Sequence, residues 1–306
     1  MVAGPVDPAA RPGIRSFRSG DYDADRLRRG KGDRTVSVCI PARNEEPTIA
    51  PIVTVLRREV VDAGLADELI VIDDHSDDAT GARAAAAGAT VVHAGDVLPE
   101  HGAGHGKGEV LWKSLHVSTG EIVVWCDADI QHFDRRFVTG VLGPLLCEPD
   151  VELVKGHYRR PESNGTGGGR VTELVARPLL SLLFPELADL HQPLSGEYGG
   201  VRGVLERLPF VQGYGVEIGL LIDYLRLRGT AGLAQVDLEV RWHRNRTLDE
   251  LGPQALAVTQ TILRYADPQL VPAGADLLRP GLPPPGGDVW VRPPMRDVER
   301  ATSASA

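Results

Sequence analysis

Short apolar runs alternate with amphipathic segments through the first half of the chain. Each apolar run predicts a buried strand, and the runs lie at Thr35–Ile40, Leu69–Ile72, Thr90–His93 and Glu121–Cys126. The segments between them have helical periodicity, at Thr48–Ala63, Asp77–Ala87 and Gly108–Val117. Strands that are apolar throughout are buried on both faces, so this alternation predicts an α/β fold with a Rossmann-like, mostly parallel sheet flanked by helices.

The pattern is less regular in the second half. It predicts strands at Val151–Tyr158 and Leu233–Trp242, and helices at Val171–Leu183 and Leu248–Tyr265. The sequence therefore divides into a polar, flexible leader (1–33), a Rossmann-like region (34–150), a second and smaller region (151–266) and a tail rich in proline and glycine (267–306). The end at Ser303–Ala306 is expected to be disordered.

Composition narrows the classes of function. The 306 residues carry a formal net charge of −9, which argues against nucleic acid and anionic membrane surfaces as partners. The spacing of the three cysteines fits no zinc site and favours buried, reduced thiols. The first 33 residues contain no apolar core of a signal peptide, and no apolar run approaches the roughly 18 residues of a membrane helix. We therefore expect a soluble cytoplasmic protein.

Polar clusters follow three of the predicted strands. They are Pro41–Glu45, Asp73–Asp74 and Asp127–Asp129. Ligands on open α/β sheets bind outside the carboxyl ends of the strands. The three clusters therefore predict a ligand site at one edge of the sheet.

The strongest of these clusters is Asp127–Ala128–Asp129. Two carboxylates that are two positions apart in an extended segment project to the same side, where they can hold one hard cation or one ribose. A metal there would offset the negative charge of a leaving diphosphate. The motif predicts a divalent-metal and nucleotide-sugar site; a solvated turn at the strand end is the alternative.

Three other segments suit a nucleotide. The backbone of Pro41–Glu46 is placed to grip a base, with Glu45 on a ribose hydroxyl, although its acids also suit a helix N-terminus. The same alternatives apply to the acids of Asp73–Asp78. Lys107, in a glycine-rich approach to a helix, can neutralise a diphosphate or remain solvated.

Three further residues are candidates in the second half. Arg170 follows Gly167–Gly169 at a predicted helix start, a combination that suits an acceptor phosphate or carboxylate. Glu217 lies in an apolar, glycine-rich helix start and can orient sugar hydroxyls or act as a base. His243, at an arginine-rich strand end, can complete a metal shell, although a lone histidine is more often structural.

Together these segments, from about Thr35 to Leu263, resemble the glucosyl-3-phosphoglycerate synthases, which are retaining glycosyltransferases of the GT-A type. The most specific matches are at 106–109, 168–180, 192–198, 213–223 and 243–246. The resemblance implies transfer of glucose from UDP-glucose to the 2-hydroxyl of 3-phospho-D-glycerate, with Mg²⁺ or Mn²⁺, by a homodimer. It also implies that 34–150 binds the nucleotide sugar and that 151–266 forms a smaller acceptor-binding and catalytic lobe.

The resemblance implies roles for individual residues as well. The donor would be held by Pro41, Ala42, Arg43, Glu45, Asp74, Lys107, Asp127, Ala128 and Tyr214. The acceptor would be held by Gly169, Arg170, Thr172 and Asn245. The metal ligands would be Asp129 and His243, and the catalytic group would comprise Lys107, Asp129, Glu217 and Arg241.

Three alternatives stay open at this stage. The first is an inverting transferase with Glu217 as its base. The second is a related transferase with another donor, such as GDP-mannose or GDP-glucose, or another carboxylate or phosphate acceptor; Arg43 and Asp74 stand where this family usually has Leu and Ser. The third is a nucleotide-binding protein without catalysis. Every hypothesis in which the chain transfers a sugar requires one cavity lined by Lys107, Asp129, Arg170 and His243.

Overall fold

Eight strands form one mixed sheet. The computed structural model describes residues 13–102, 104–162, 165–166, 169–242, 247–272, 274–280 and 290–298. The strands of this sheet are β1 (Arg15–Arg18), β2 (Val36–Ala42), β3 (Glu68–Asp73), β4 (Thr90–His93), β5 (Ile122–Trp125), β6 (Leu153–Arg159), β9 (Tyr198–Val201) and β11 (Leu233–Val240). Their order across the sheet is β1-β11-β6-β9-β5-β2-β3-β4. Neighbouring strands are parallel except that β9 is antiparallel to both β5 and β6.

Helices cover the two faces of this sheet. They are α1 (Ala24–Lys31), α2 (Ile49–Leu56), α3 (Thr80–Ala86), α4 (Lys107–Val117), α5 (Arg136–Cys147), α6 (Arg177–Leu183), α7 (Arg202–Leu205), α8 (Val216–Arg228) and α9 (Leu248–Ala266). Alternate side chains of β2 enter different cores: Cys39 joins the core that contains α4 and α8, whereas Val38 and Ile40 join the core that contains α2 and α5. The predicted fold class, a mostly parallel sheet flanked by helices, is confirmed.

Small elements connect to this framework. Two short antiparallel pairs are formed by β7 (Pro161–Glu162) with β8 (Gly165–Thr166) and by β10 (Phe210–Val211) with β12 (Val291–Arg292). Single π-helical segments, Arg57–Val61 and Thr172–Ala176, extend α2 and precede α6. The pairing of β10 with β12 places part of the proline- and glycine-rich tail against the body of the fold; Ser303–Ala306 lie outside the described residues.

The prediction of a flexible leader through residue 33 is wrong for residues 15–31. Strand β1 pairs in parallel with β11, from Arg15 opposite Ala234 onwards. Helix α1 begins after Asp23, whose side chain accepts a hydrogen bond from the Arg26 N–H, and it buries Leu27. A short edge strand with alternating exposure and a helix with one buried apolar residue give little apolar signal, and for that reason the sequence pattern missed them.

The expected end of the first strand at Pro41 is also corrected. Strand β2 continues to Ala42, with Pro41 opposite Ile72 of β3. Pairing of β2 with β5 ends at Cys39, opposite Trp125. Pro41 has no N–H to donate, but at this position β2 no longer pairs with β5. A proline is therefore tolerated there.

Strand β9 was not predicted, because its Tyr198-Gly199-Gly200-Val201 sequence looks like a turn. The glycines permit a close approach of backbones: a Cβ at Gly199 would lie 2.6 Å from the Val123 carbonyl oxygen. Through β9 the sheet continues without interruption from the first half of the chain into the second. The predicted regions 34–150 and 151–266 thus share one sheet.

Candidate active site

A cavity of about 580 Å³ opens at the carboxyl ends of β2, β3 and β5. It is lined by fifteen of the residues singled out from sequence: Pro41, Ala42, Arg43, Glu45, Asp74, Lys107, Asp127, Ala128, Asp129, Gly169, Arg170, Thr172, Tyr214, Glu217 and Arg241. Two others, His243 and Asn245, lie outside the described residues. Three of the four side chains that had to share one cavity, Lys107, Asp129 and Arg170, therefore do so.

Asp127 lies between two cations. Its Oδ1 is 2.5 Å from Lys107 Nζ, and its Oδ2 is 3.2 Å from Arg241 Nη2. Burial would raise the pKa of the Asp127 carboxyl, but the two cations hold that pKa well below its ordinary value. The absence of a side chain at Gly196 makes room for this carboxylate, since a Cβ there would lie 2.1 Å from either oxygen. Asp127 is thus a fixed anion that orients Lys107 and Arg241.

Lys107 is the first residue of α4 and points its ammonium at two carboxylates. The Nζ atom lies 2.5 Å from Asp127 and 2.7 Å from Glu217, whose side chain is only 7% exposed. Burial would lower the pKa of Lys107, yet the two carboxylates raise it well above its ordinary value. The lysine is therefore a permanent cation in the wall of the cavity.

Arg241 connects both aspartates to the interior. Its Nη2 lies 2.5 Å from Asp129 Oδ1, and its Nη1 lies 3.1 Å from Glu197 and also donates to the Tyr158 hydroxyl. Glu197 is completely buried, and burial raises the pKa of its carboxyl although Arg241 opposes the effect. The guanidinium can reach four groups because it is a planar fork with five N–H donors.

Sequence reasoning missed the roles of Glu197 and Tyr158. Glu197 is the one charged residue of the segment Gln192–Tyr198, and buried carboxylates are rarely left unpaired. That signal was present in the Gln192–Tyr198 motif, but it could not name Arg241 as the partner.

Asp129 is better placed than Asp127 to hold a divalent cation. Its side chain is 38% exposed, against 22% for Asp127, and Arg241 reaches it through Oδ1. Both oxygens of Asp127 contact a cation of the protein. Carboxylate oxygen is the ligand that Mg²⁺ and Mn²⁺ prefer, so the residues present fit such an ion.

Further basic groups line the cavity at a helix start, and one of them, Arg160, donates to the same Tyr158 hydroxyl as Arg241. Gly169 has a φ of +77°, and its carbonyl oxygen accepts a hydrogen bond from the Glu173 N–H, which begins the helical segment that contains Arg170 and Thr172. Arg160, after β6, also lines the cavity, and its Nη1 would lie 3.3 Å from a Cβ at Gly169. Arg160 was missed, although a pair of arginines after a predicted strand was a usable signal. Two guanidiniums and a helix start can bind a phosphate or a carboxylate.

A buried lysine lies behind the site. Lys155 of β6 donates a hydrogen bond from Nζ to the Ser195 carbonyl oxygen at 2.6 Å, and Nζ lies 3.9 Å from the centre of the Tyr198 ring. Burial lowers the pKa of Lys155 to about 7. An apolar strand gave no reason to single out its one lysine. The residue ties β6 to the segment that carries Glu197.

None of the helices in the described parts of the chain is long and apolar enough to cross a bilayer.

Comparison with known proteins gives consistent matches. The model of the family described as glycosyl transferase family 2 matches residues 37–199. The glucosyl-3-phosphoglycerate synthase of Mycolicibacterium smegmatis is 51% identical over 242 residues, covering 78% of this chain and 79% of that protein. The enzyme of the same name from Mycobacterium tuberculosis is 48% identical over 270 residues, covering 86% of this chain and 83% of that protein.

Solved structures agree. A crystal structure of the Mycobacterium tuberculosis synthase with Mn²⁺, UDP-glucose and phosphoglyceric acid has a TM-score of 0.84 and 46% identity, covering 94% of this chain and 99% of that one. The structure of a mannosyl-3-phosphoglycerate synthase from Rubrobacter xylanophilus has a TM-score of 0.83 and 36% identity, covering 94% of this chain and 98% of that one.

Proposed function

The chain belongs to the glucosyl-3-phosphoglycerate synthase family, and from that premise we propose that it transfers glucose from UDP-glucose to the 2-hydroxyl of 3-phospho-D-glycerate with retention at the anomeric carbon. It is a glycosyltransferase of the GT-A type. The observation that carries the proposal is the single cavity that is lined both by the Asp127–Lys107–Arg241 cluster and by Arg170.

The donor occupies the end of the cavity next to the strand ends. Pro41, Ala42, Arg43 and Glu45 hold the nucleoside, with Asp74, Ala128 and Tyr214 at its borders. Asp129 and His243 would hold Mg²⁺ or Mn²⁺, ions found with UDP-glucose or UDP in structures of the related synthase. When bound, the metal offsets the negative charge that develops on the diphosphate as the sugar leaves.

Lys107 and Arg241 supply fixed positive charge beside the diphosphate. Both are oriented by Asp127, so no reorganisation is needed as charge develops. In the proposed front-face transfer the acceptor hydroxyl attacks the anomeric carbon from the side of the leaving group. Its proton passes to a departing phosphate oxygen, and the reaction needs no protein nucleophile.

The acceptor occupies the wall at Gly169, Arg170 and Thr172, with Asn245 as a further contact. The helix start and the Arg170 guanidinium suit the phosphate or the carboxylate of phosphoglycerate. Arg160, next to Gly169, adds a second guanidinium to the lining. Positioning of the acceptor hydroxyl by these groups supplies much of the rate.

Inversion with Glu217 as the base is less well supported. The Glu217 carboxylate is nearly buried and forms an ion pair with Lys107 at 2.7 Å. This geometry favours a role in holding the lysine beside the sugar over a role in taking a proton.

One experiment tests the whole proposal. Purified protein is incubated with Mg²⁺, 3-phosphoglycerate and UDP-glucose, and the product is examined by NMR. An α-linked glucosyl phosphoglycerate is expected, because retention preserves the α configuration of the donor. A β-linked product would overturn retention. If no product forms although the metal, the donor and the acceptor are all present, the assignment of substrates is overturned.

A second candidate is the same transfer with a different nucleotide sugar. The observation in its favour is the nearly buried carboxylate of Asp74, which lines the donor end and accepts N–H donors. A panel of UDP-glucose, GDP-glucose and GDP-mannose compared by kcat/KM separates the two candidates.

We also propose a cytoplasmic homodimer. All three cysteines are free thiols, as a reducing compartment requires. Leu174 and Leu182 are 75% and 78% exposed on the helical segment around α6, which offers apolar surface to a second copy. Light scattering of the purified protein and of a Leu182→Glu variant tests this: the dimer mass should appear in the first and fall in the second.

A further inference from the structure

A second group of metal-ligating side chains lies at the end of β3 and in the loop before α4. It consists of Asp74, His75 and His105, and one ligand atom of each lies within 4.8 Å of the ligand atoms of the others. His75 Nδ1 is 3.1 Å from Asp74 Oδ1. The two imidazole rings are 4.6 Å apart between centroids and inclined at 56°. None of the three is part of the Asp127–Lys107–Arg241 cluster.

The carboxylate of this group is fixed in place. Asp74 is 4% exposed, its Oδ2 accepts a hydrogen bond from the Gly106 N–H at 2.9 Å, and its own N–H donates to the Ala42 carbonyl oxygen at 2.8 Å. Such contacts behind a ligand set its orientation before a metal arrives. Because Gly106 follows His105 in the chain, the same hydrogen bond keeps the His105 loop next to the carboxylate.

The imidazole of His75 is also directed by the backbone. His75 has a φ of +58°, in the left-handed region that residues other than glycine rarely adopt. Its Nε2 faces Gly95, where an added Cβ would lie 3.3 Å away. The nitrogen that remains directed at the carboxylate is Nδ1. Both histidines are exposed, but no hydrogen bond of the His105 side chain is among those described, so its ring can rotate to complete a coordination shell.

We propose that Asp74, His75 and His105 form a binding site for a divalent transition metal of the zinc class. Two imidazoles and one carboxylate are the donor set of open zinc sites with three protein ligands. Tetrahedral Zn²⁺ with bonds of about 2.0 to 2.1 Å holds its ligands about 3.3 Å apart, close to the Asp74–His75 separation. Mg²⁺ prefers oxygen ligands and retains its water, so it does not compete for this site.

The site has a consequence for the donor, which rests on the proposed function. Asp74 and His105 both line the cavity at the end assigned to the nucleoside. A bound zinc ion takes the Asp74 carboxylate and ties the loop before Lys107 to the end of β3. Zinc and the nucleotide sugar therefore oppose each other, and each lowers the affinity of the protein for the other.

The binding experiment uses the full chain and requires no turnover. Zn²⁺ is titrated by calorimetry in millimolar Mg²⁺, and Co²⁺ is titrated by its visible absorption as a geometry probe. Wild type is compared with His75→Ala, His105→Ala and the control His93→Ala, which removes a neighbouring exposed histidine. An Asp129→Ala variant removes the proposed site of the Mg²⁺ ion.

The expected result is one Zn²⁺ per chain in wild type, in His93→Ala and in Asp129→Ala. Affinity should fall by at least about tenfold in His75→Ala and in His105→Ala, the loss commonly seen even for groups behind the ligands. Equal affinity in wild type and both ligand variants would overturn the proposal. Loss of the binding event in Asp129→Ala would assign the zinc to the other site instead.

Coupling to the donor is measured separately. Zinc should raise the KM for UDP-glucose in wild type and should do so far less in His105→Ala; equal effects would overturn the coupling. If UDP-glucose is not a substrate at all, the proposed function fails while the calorimetric result still decides the zinc site.

Discussion

Replacing Lys107 with methionine separates two roles that the structure gives to this lysine. Its ammonium neutralises Glu217, which is 7% exposed, and it also faces the part of the cavity assigned to the diphosphate. Asp127 keeps a cation partner in the variant, because Arg241 lies 3.2 Å away. Among the described residues, Glu217 is therefore the group that is most affected when the Lys107 ammonium is removed.

The magnitude of each effect follows from this geometry. Removing one partner of a buried ion pair costs about 3 kcal/mol or more in the free energy of unfolding, because it leaves a charge without its partner. Removing one preorganised cation from a developing charge costs about 10²- to 10³-fold in kcat. The double variant Lys107→Met/Glu217→Gln also removes the buried negative charge, so it should regain much of the lost stability.

The decisive comparison keeps glutamine at position 217. Urea unfolding and steady-state kinetics are measured for wild type, both single variants and the double variant. Glu217→Gln and the double variant differ only at Lys107. The ratio of their kcat values therefore measures the effect of the Lys107 charge when residue 217 carries none. We expect that ratio to remain about 10² or more. A ratio below about threefold would instead show that Lys107 serves only to neutralise Glu217.

Four further predictions concern the rest of the site. Arg170→Ala should raise the KM for phosphoglycerate by about tenfold or more, the value of a charge-assisted hydrogen bond, and should change the KM for the donor much less; equal changes would contradict the acceptor role. Asp129→Ala should abolish turnover and leave the circular dichroism spectrum unchanged, whereas an active variant would contradict the metal assignment. Chelation of divalent metal should weaken UDP binding in calorimetry, and unchanged affinity would remove the metal from the donor site. Lys155, with a pKa of about 7 in the fold against 10.5 in a free side chain, opposes folding when charged; the stability of wild type relative to Lys155→Met should therefore rise between about pH 7 and 10.5, and parallel pH profiles would contradict the shift.

The sheet was predictable where burial is complete. Runs such as Leu69–Ile72 are apolar on both faces, so they can only be interior strands, and the structure places them there. Strand β1 failed the same test because its side chains alternate between partly buried and exposed. Strand β9 failed because the glycines that allow close packing also remove the apolar signal.

The convergence of distant residues was predictable for a topological reason. Parallel strands end at one edge, so Asp127 after β5 and Lys107 at the start of α4 had to lie near each other once the sheet was assumed. The partners of Arg241 were not predictable in this way. Glu197 and Tyr158 reach it through β9 and β6, and the order of these strands follows from packing that no single segment records.

Charge balance explains why a metal belongs in this cavity. Among the described residues, Lys107 and Arg241 are the cations of an ion-paired cluster whose carboxylates are those of Asp127, Asp129, Glu197 and Glu217. The cluster therefore has formally two more negative than positive charges before any ligand arrives. A nucleoside diphosphate adds further negative charge, and both cations are already held by carboxylates. Arg43, Arg160 and Arg170 add positive charge elsewhere in the lining, so the excess belongs to this cluster and not to the whole cavity. Beside the cluster, the carboxylates would repel the diphosphate at close range unless a divalent cation enters with the donor. The same carboxylates that hold Lys107 and Arg241 in position thus make the affinity for the donor depend on the metal.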